Sequence, residues 1–367
     1  MAPHPHLAEI ARKFVIVPAV APAAVVATAY PGPAGFEFAE GAAFGPELPG
    51  VNARAFFDLA SISKSFVAAT VARLVQRGRL DFDAPLRDLL PEARGTVTGA
   101  ASILLLLAHR AGLEAHRNLF SPLLWGRPID RGAAIREAVH GRRPECVETT
   151  PARGYPPLYS DLGFALVGWA IEQLEQLPLD QVVEREVCAP LGLEVGSART
   201  LRARKLDFAA RCMPTETVPF RGGEVRGVVH DENAWALSGH GLSGHAGLFG
   251  TAESVARFGA ALLDANAGNG RSTWLAKSAV APLLEERPGG TLRAGFDGKS
   301  TDQSSAGTFA SMRSFGHLGF TGTSFWCDPD ADRVLVLLSN RVCPTRNNPR
   351  IRAARPAVND ALYVFTP

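Results

Sequence analysis

Ser61 and Lys64 stand three residues apart in the stretch FDLASISKSFVAATVARLVQRG, residues 57–78. A serine hydroxyl becomes a nucleophile when a neighbouring group takes its proton. A lysine one helical turn away can be that group if burial or nearby positive charge lowers its pKa. The free N–H groups of a helix start would also favour a developing negative charge. The same letters have a plainer reading. Serine is a favoured N-cap and lysine a good helix former, so the pair could be a cap and a surface charge. On this stretch alone the cap is the simpler account.

Two more short motifs could join that chemistry. Tyr159-Ser160-Asp161 precedes an amphipathic run. Its phenol could relay a proton between nucleophile and leaving group, given a neighbouring cation to act on a group that normally titrates near pH 10. The alternative is a core tyrosine with Asp161 capping the helix. His317-Leu318-Gly319 stands at the entry to a C-terminal strand. An edge strand there could offer an N–H to an oxyanion, and Gly319 would let a substrate approach. Alone, His317 reads as a satisfied surface or core histidine. His245-Ala246-Gly247 repeats the H-x-G pattern but reads as a turn before a helix.

The elements that must position these residues follow from periodicity and punctuation. Val67, Val71, Leu74 and Val75 make one apolar stripe, so a helix runs from about Ser61 to Arg77, with Gly78 as its stop. AAVVATAY, PGPAG and FEFAEGAAF read as strand, turn and strand after a short first helix ending near Ile16. Amphipathic runs near 101–108, 131–140, 162–176 and 179–187 fill the middle. A helix follows with Thr251 as cap and Gly268 as stop. The longest irregular stretches are 115–130 and 213–230. A hairpin through TGTSFWCD and VLVLLSN precedes a last helix, RPAVNDALYV, with Pro356 in its first turn. The fold class is therefore α+β. Segments 1–60 and 266–367 would form an antiparallel sheet covered by the terminal helices. Segment 61–265 would form a mainly helical lobe, with a pocket at the junction.

Composition bounds the function. The 367 residues carry 46% hydrophobic and 20% charged side chains, as a globular protein would. A formal net charge of +2 argues against a nucleic-acid partner. The arginines at 341, 346, 350, 352 and 355 read as a solvated or ion-paired face. Cys146, Cys188, Cys212, Cys327 and Cys343 show neither metal spacing nor a disulfide pattern. His230, Asp231, Glu232, His240 and His245 lack any recognised metal-ligand spacing, and their loop reads as a Gly-rich cleft rim. No metal and no cofactor are therefore expected. Phe120, Trp125 and Trp235 are either pocket lining or core. The apolar run 14–29 is broken by Pro18 and Pro22 and follows a poor charged segment, so no signal peptide, no membrane span and a cytoplasmic location are expected.

Taken in order, S-x-x-K, Y-x-D and H-x-G resemble the serine β-lactamase and penicillin-binding-protein superfamily, and within it the class C-like branch that includes D-alanyl peptidases and esterases. LLLLAHRAGL, YSDLGFALVGWAIE, GHAGLFGTAESVARF and NNPRIRAARPAVNDAL resemble segments of that branch in its order. The resemblance implies that Ser61 is acylated, that Lys64 accepts its proton, and that Tyr159 shares or relays it. It also implies His317 at the third-motif lysine, an oxyanion hole from the backbone N–H groups of Ser61 and Phe320, and a supporting role for Asp161 and Gly319. Three departures matter. Asp161 replaces an asparagine, Leu318 a threonine and His317 a permanently charged lysine. All three weaken recognition of an anionic β-lactam or peptide carboxylate. The expectation is a serine hydrolase working through an acyl-enzyme on a small ester or amide. An acyltransferase on the same site and a non-catalytic binding protein on this scaffold are the alternatives.

Overall fold

The computed structural model describes residues 4–48, 52–148 and 150–366. The chain's two ends meet in one antiparallel sheet. Its strands are β1 (Ala23–Gly32), β2 (Gly35–Phe44), β3 (Asp297–Gly298), β4 (Phe315–Leu318), β5 (Ser324–Asp328) and β6 (Arg333–Ser339), in the order β2-β1-β6-β5-β4-β3. The register Val26↔Leu337 joins the N-terminal hairpin to the C-terminal one. The expected antiparallel sheet built from both ends of the chain is found.

Both sheet faces are buried. Val25, Ala27 and Ala29 of β1 point into one core with Val334, Val336 and Leu338, while Ala24 and Val26 point into another with Leu335 and Leu337. Period-2 alternation thus feeds two apolar layers. Each fully buried valine or leucine contributes roughly 1.5–3 kcal/mol. Helix α1 (Pro5–Ala11) and the last helix lie on the second face. The first face is covered not by a terminal helix, as expected, but by a helix from the segment read as the helical lobe, Ala252–Ala267, whose apolar side packs on β1, β5 and β6. Its ends are those read from sequence. Thr251 accepts from the Ser254 amide, and Gly268 closes it at φ 66°.

Three details depart from expectation. The last helix begins at Ile351, so Pro356 lies inside it rather than in its first turn. Segment 213–230 holds a small hairpin, Pro214–Val218 with Gly223–Arg226, and 115–130 holds a short helix, Ser121–Leu124. Short strands that pair only with each other carry too little periodicity to be seen in sequence. Among the described residues, no helix is long and apolar enough to cross a membrane.

Helix α2 (Ser63–Gln76) and helix α3 (Asp161–Glu175) bring the first two motifs to the end of β4. The loop 239–247 closes against α3 at Gly244. A Cβ there would overlap the Phe164 carbonyl oxygen. Gly244→Ala is expected to destabilise the protein by about 3 kcal/mol or more, because backbone and not a flexible side chain would have to move. Urea denaturation of the variant checks this.

Candidate active site

Ser61 lies in a 3₁₀ turn, Ala60–Ile62, that leads into α2. Ala60 is held at φ 46°, a left-handed conformation that costs about 1–2 kcal/mol in a residue with a Cβ. Asp58 fixes the turn. Its carboxylate accepts from the Ala60 amide at 2.8 Å and from the His230 amide at 2.6 Å. The cap reading of Ser61 does not hold. Neither Leu59 nor Ile62, the residues that precede the two helical segments, has a side-chain cap bond. The Ser61 Oγ instead accepts from Lys64 Nζ at 2.9 Å.

Lys64 is 0% exposed. Its Nζ also donates to the His245 carbonyl at 3.1 Å and pairs with Asp161 Oδ1 at 2.8 Å. Burial acts to lower its pKa, but the Asp161 carboxylate and Tyr159 more than offset this, and the net direction is upward. Lys64 is a cation in the resting site. The sequence reading required a lowered pKa, and the Asp161 charge reverses that sign.

Tyr159 lies against Lys64, whose Nζ stands 4.9 Å from the centre of its ring, and both Lys64 and Ser61 act on its phenol. Its ring stacks on His109 at 4.6 Å between centroids and tilts against His317 at 6.1 Å. Burial raises its pKa, Lys64 lowers it, and the net shift is upward, so the phenol is neutral. His317 lies in β4, with its Nδ1 2.9 Å from the Leu318 carbonyl. A carbonyl can only accept, so Nδ1 carries the proton and Nε2 has the lone pair. His109, at φ 59°, accepts the Ser160 amide on Nδ1 at 2.9 Å, which leaves its proton on Nε2. Burial, then the Lys64 charge, lowers the pKa of each histidine to about 3.

The sign follows from linkage. The unfolded chain binds protons at these two histidines near pH 6.5, whereas the folded chain resists until about pH 3. Stability is therefore full above about pH 6.5 and falls as pH drops toward 3. Tm should decline across that window. Activity should show no loss as pH rises through 6.5, because His317 is already neutral. An alkaline loss that disappears in His317→Lys would contradict the neutral assignment.

A second layer holds the carboxylates. Ser160, not Asp161, caps α3 by accepting the Gly163 amide at 3.4 Å. Asp161 is thereby free to face Lys64, and its other oxygen lies 3.5 Å from His116 Nδ1. Burial acts against the Asp161 charge, but Lys64 and His116 hold its pKa well below the usual carboxylate range. His245 Nε2 lies 2.9 Å from Asp231 Oδ1, and this contact anchors the turn that presents the His245 carbonyl. That turn leads into a short strand, Leu248–Gly250, rather than directly into a helix.

Ser61 and Phe320 line the same cleft. Among the described residues, the amide of neither donates to a backbone carbonyl. Gly319 cannot carry a side chain, since a Cβ would overlap Thr323 Oγ1 and crowd the Leu59 carbonyl. The cleft encloses about 640 Å³ and is lined by Ser61, Tyr159, Leu318, Phe320, Arg352 and Arg355, among others. Phe320 is 49% exposed, with the Arg341 guanidinium 4.5 Å above its ring. Of the five late arginines, Arg346 is ion-paired, to Glu216 and Glu232, and Arg350 and Arg352 are exposed, as expected, whereas the expectation fails for Arg341 and Arg355, which are partly buried and, among the described residues, without an ion pair. Arg341, Arg350 and Arg355 donate to carbonyls, and Arg352 stands at the cleft wall. Phe120, Phe220 and Trp235 form one aromatic group, while Trp125 is 78% exposed.

The structure thus brings Ser61, Lys64, Tyr159, Asp161, His317, Gly319 and Phe320 together. Sequence reasoning missed His109 and His116 as neighbours of the site. The left-handed backbone at His109 has no sequence signature, and His116 sits in a stretch read as irregular.

The Beta-lactamase family model matches residues 27–359. A protein of Salmonella agona (strain SL483), named as a D-alanyl-D-alanine carboxypeptidase, is 27% identical over 330 residues, covering 84% of this chain and 73% of that protein. The solved structure of EstCE1, described as a hydrolase with promiscuous acyltransferase activity, superposes with a TM-score of 0.70 at 21% identity, over 98% of both chains. A class C β-lactamase from Rhodobacter sphaeroides superposes with a TM-score of 0.67 at 19% identity, over 97% of this chain and 99% of the other. At such identities the two structures establish the fold alone.

Proposed function

The chain belongs to the Beta-lactamase family and is a serine hydrolase, and from that premise we propose that it forms an acyl-enzyme on Ser61 and prefers small esters to amides and β-lactams. The observation that carries the preference is the 2.8 Å pair between Lys64 and Asp161. A lysine held as a cation cannot take the serine proton. The neutral phenol of Tyr159 then acts as a relay. Ser61 Oγ attacks the carbonyl carbon while, in one concerted relay, its proton passes to Tyr159 Oη and the phenol's own proton passes to the ester oxygen that leaves, so that the phenol is neutral before and after. Lys64 steadies both oxygens, and the Ser61 and Phe320 amides take the oxyanion. Water repeats the sequence in the second half, with Ser61 as leaving group. Such a relay never generates a strong base, so it suits an alkoxide or phenoxide that leaves readily and serves an amine poorly.

Two measurements test this reading. Steady-state kcat/KM for a short-chain aryl ester should exceed that for penicillins and cephalosporins. A larger value for a cephalosporin would sink the preference. Asp161→Asn removes the charge that holds the Lys64 pKa up. Its ratio of cephalosporin to ester kcat/KM should rise by about fivefold or more, a change of about 1 kcal/mol in relative barrier. An unchanged or lower ratio counts against the role given to the ion pair.

A further inference from the structure

We infer that His109 is a positioning residue for the proton relay, a buried clamp that holds the Tyr159 phenol beside Ser61 and Lys64. This rests on the relay reading above and names what keeps that relay aligned. The starting observation is a histidine where a helix end favours glycine. The helix Ile103–Leu107 closes with two bonds, from the His109 amide to the Leu106 carbonyl at 3.2 Å and from the Arg110 amide to the Leu105 carbonyl at 2.8 Å. This is the Schellman pattern, and its left-handed residue is usually glycine. His109 stands there at φ 59°, in a conformation that a Cβ disfavours. Glycine would close the same helix without that cost, so the helix end does not account for the imidazole.

The contacts with Tyr159 do account for it. The His109 carbonyl accepts from the Leu158 amide at 3.1 Å, and Nδ1 accepts from the Ser160 amide at 2.9 Å. Both residues that flank Tyr159 are thus tied to one side of the site by a single residue. The Tyr159 ring itself lies on the imidazole, 4.6 Å between centroids with 29° between planes. Its contact with His317 is looser, at 6.1 Å and 51°. Phe164 of α3 packs against the imidazole at 5.2 Å. His109 and Phe164 are both buried, so the clamp cannot swing aside without opening the core. The two amide bonds fix the backbone at Tyr159 and the stack fixes its ring plane, which together set where Oη lies. A relay that moves two protons at once needs both distances short together, and a shift of about 1 Å can cost about 10²-fold in rate. Burial and the Lys64 charge keep the imidazole neutral, so it brings no second cation beside Lys64 and acts by shape.

The test separates the stacked ring from the acceptor. His109→Asn keeps an acceptor near the Nδ1 position, and asparagine, like histidine, tolerates the left-handed region, but the ring is gone. With p-nitrophenyl butyrate its kcat should fall about 10- to 100-fold while KM stays within about threefold, because His109 does not line the cleft that receives the ester. His109→Gly suits the helix end and loses both side-chain contacts, so it should fold, as circular dichroism would show, and lose at least as much kcat. A double-mutant cycle with Tyr159→Phe gives the readout that a general structural defect would not. With the phenol gone there is nothing left to align, and adding His109→Asn should lower kcat by no more than about twofold. Losses that multiply in the double variant would overturn the proposal, since His109 would then act apart from Tyr159. If Tyr159→Phe loses most of its turnover while His109→Asn and His109→Gly keep kcat within about twofold of wild type, the clamp falls and the relay stands. If Tyr159→Phe keeps wild-type kcat, the relay reading itself falls and takes this role with it.

Discussion

Ser61→Ala is expected to abolish turnover, by about 10³-fold or more in kcat/KM, while leaving stability within about 1 kcal/mol of wild type. The two effects separate because Ser61 caps nothing. Its hydroxyl accepts from Lys64, and the turn beneath it is held by Asp58 through the Ala60 amide. A serine that mattered as a cap would give the opposite pattern, with about 1 kcal/mol lost and activity kept. Ester hydrolysis and urea denaturation on the same preparations decide between them. Wild-type turnover in a folded Ser61→Ala protein would refute the nucleophile, as would failure of a serine-reactive phosphonate to label the wild type at Ser61.

Lys64→Met should damage both activity and stability. The side chain is fully buried, and its Nζ faces Ser61, Asp161, Tyr159 and the His245 carbonyl. Removing one partner of such an ion pair leaves Asp161 without its charge partner in an enclosed site, at a cost of about 3 kcal/mol or more. Activity should fall by roughly 10²–10⁴-fold, the range for a group that acts on proton transfer. Adding Asp161→Asn to Lys64→Met should recover most of the stability, because the unpaired charge is gone, and none of the activity. If the double variant is no more stable than Lys64→Met, the pair is not what holds this part of the core. If Lys64→Met keeps its turnover, the lysine has no part in the chemistry.

The sequence by itself determined the α+β architecture and the order of its parts. Alternating small and branched residues in AAVVATAY and VLVLLSN specify strands whichever way they are paired, because the pleat has a period of two. Thr251 and Gly268 specify the ends of a helix by local chemistry. Three short motifs in order were enough to resemble one family and to single out Ser61, Lys64, Tyr159 and His317, since their types limit what they can do. Proton ownership was decided by the tertiary structure. The sequence reading made Lys64 a base only on condition of a lowered pKa, and the 2.8 Å approach of Asp161 turns the shift upward instead. That approach depends on Ser160 taking the cap, which the tripeptide left open. The same holds for the late arginines. In sequence they are a run of charges, and charge alone does not say which will find a partner. Packing gave Arg346 two carboxylates and Arg355 two carbonyls, and set Arg352 with Arg355 in the wall of the cleft. Electrostatic energies follow distance and burial, and residues nearly 300 positions apart acquire both only when the chain folds.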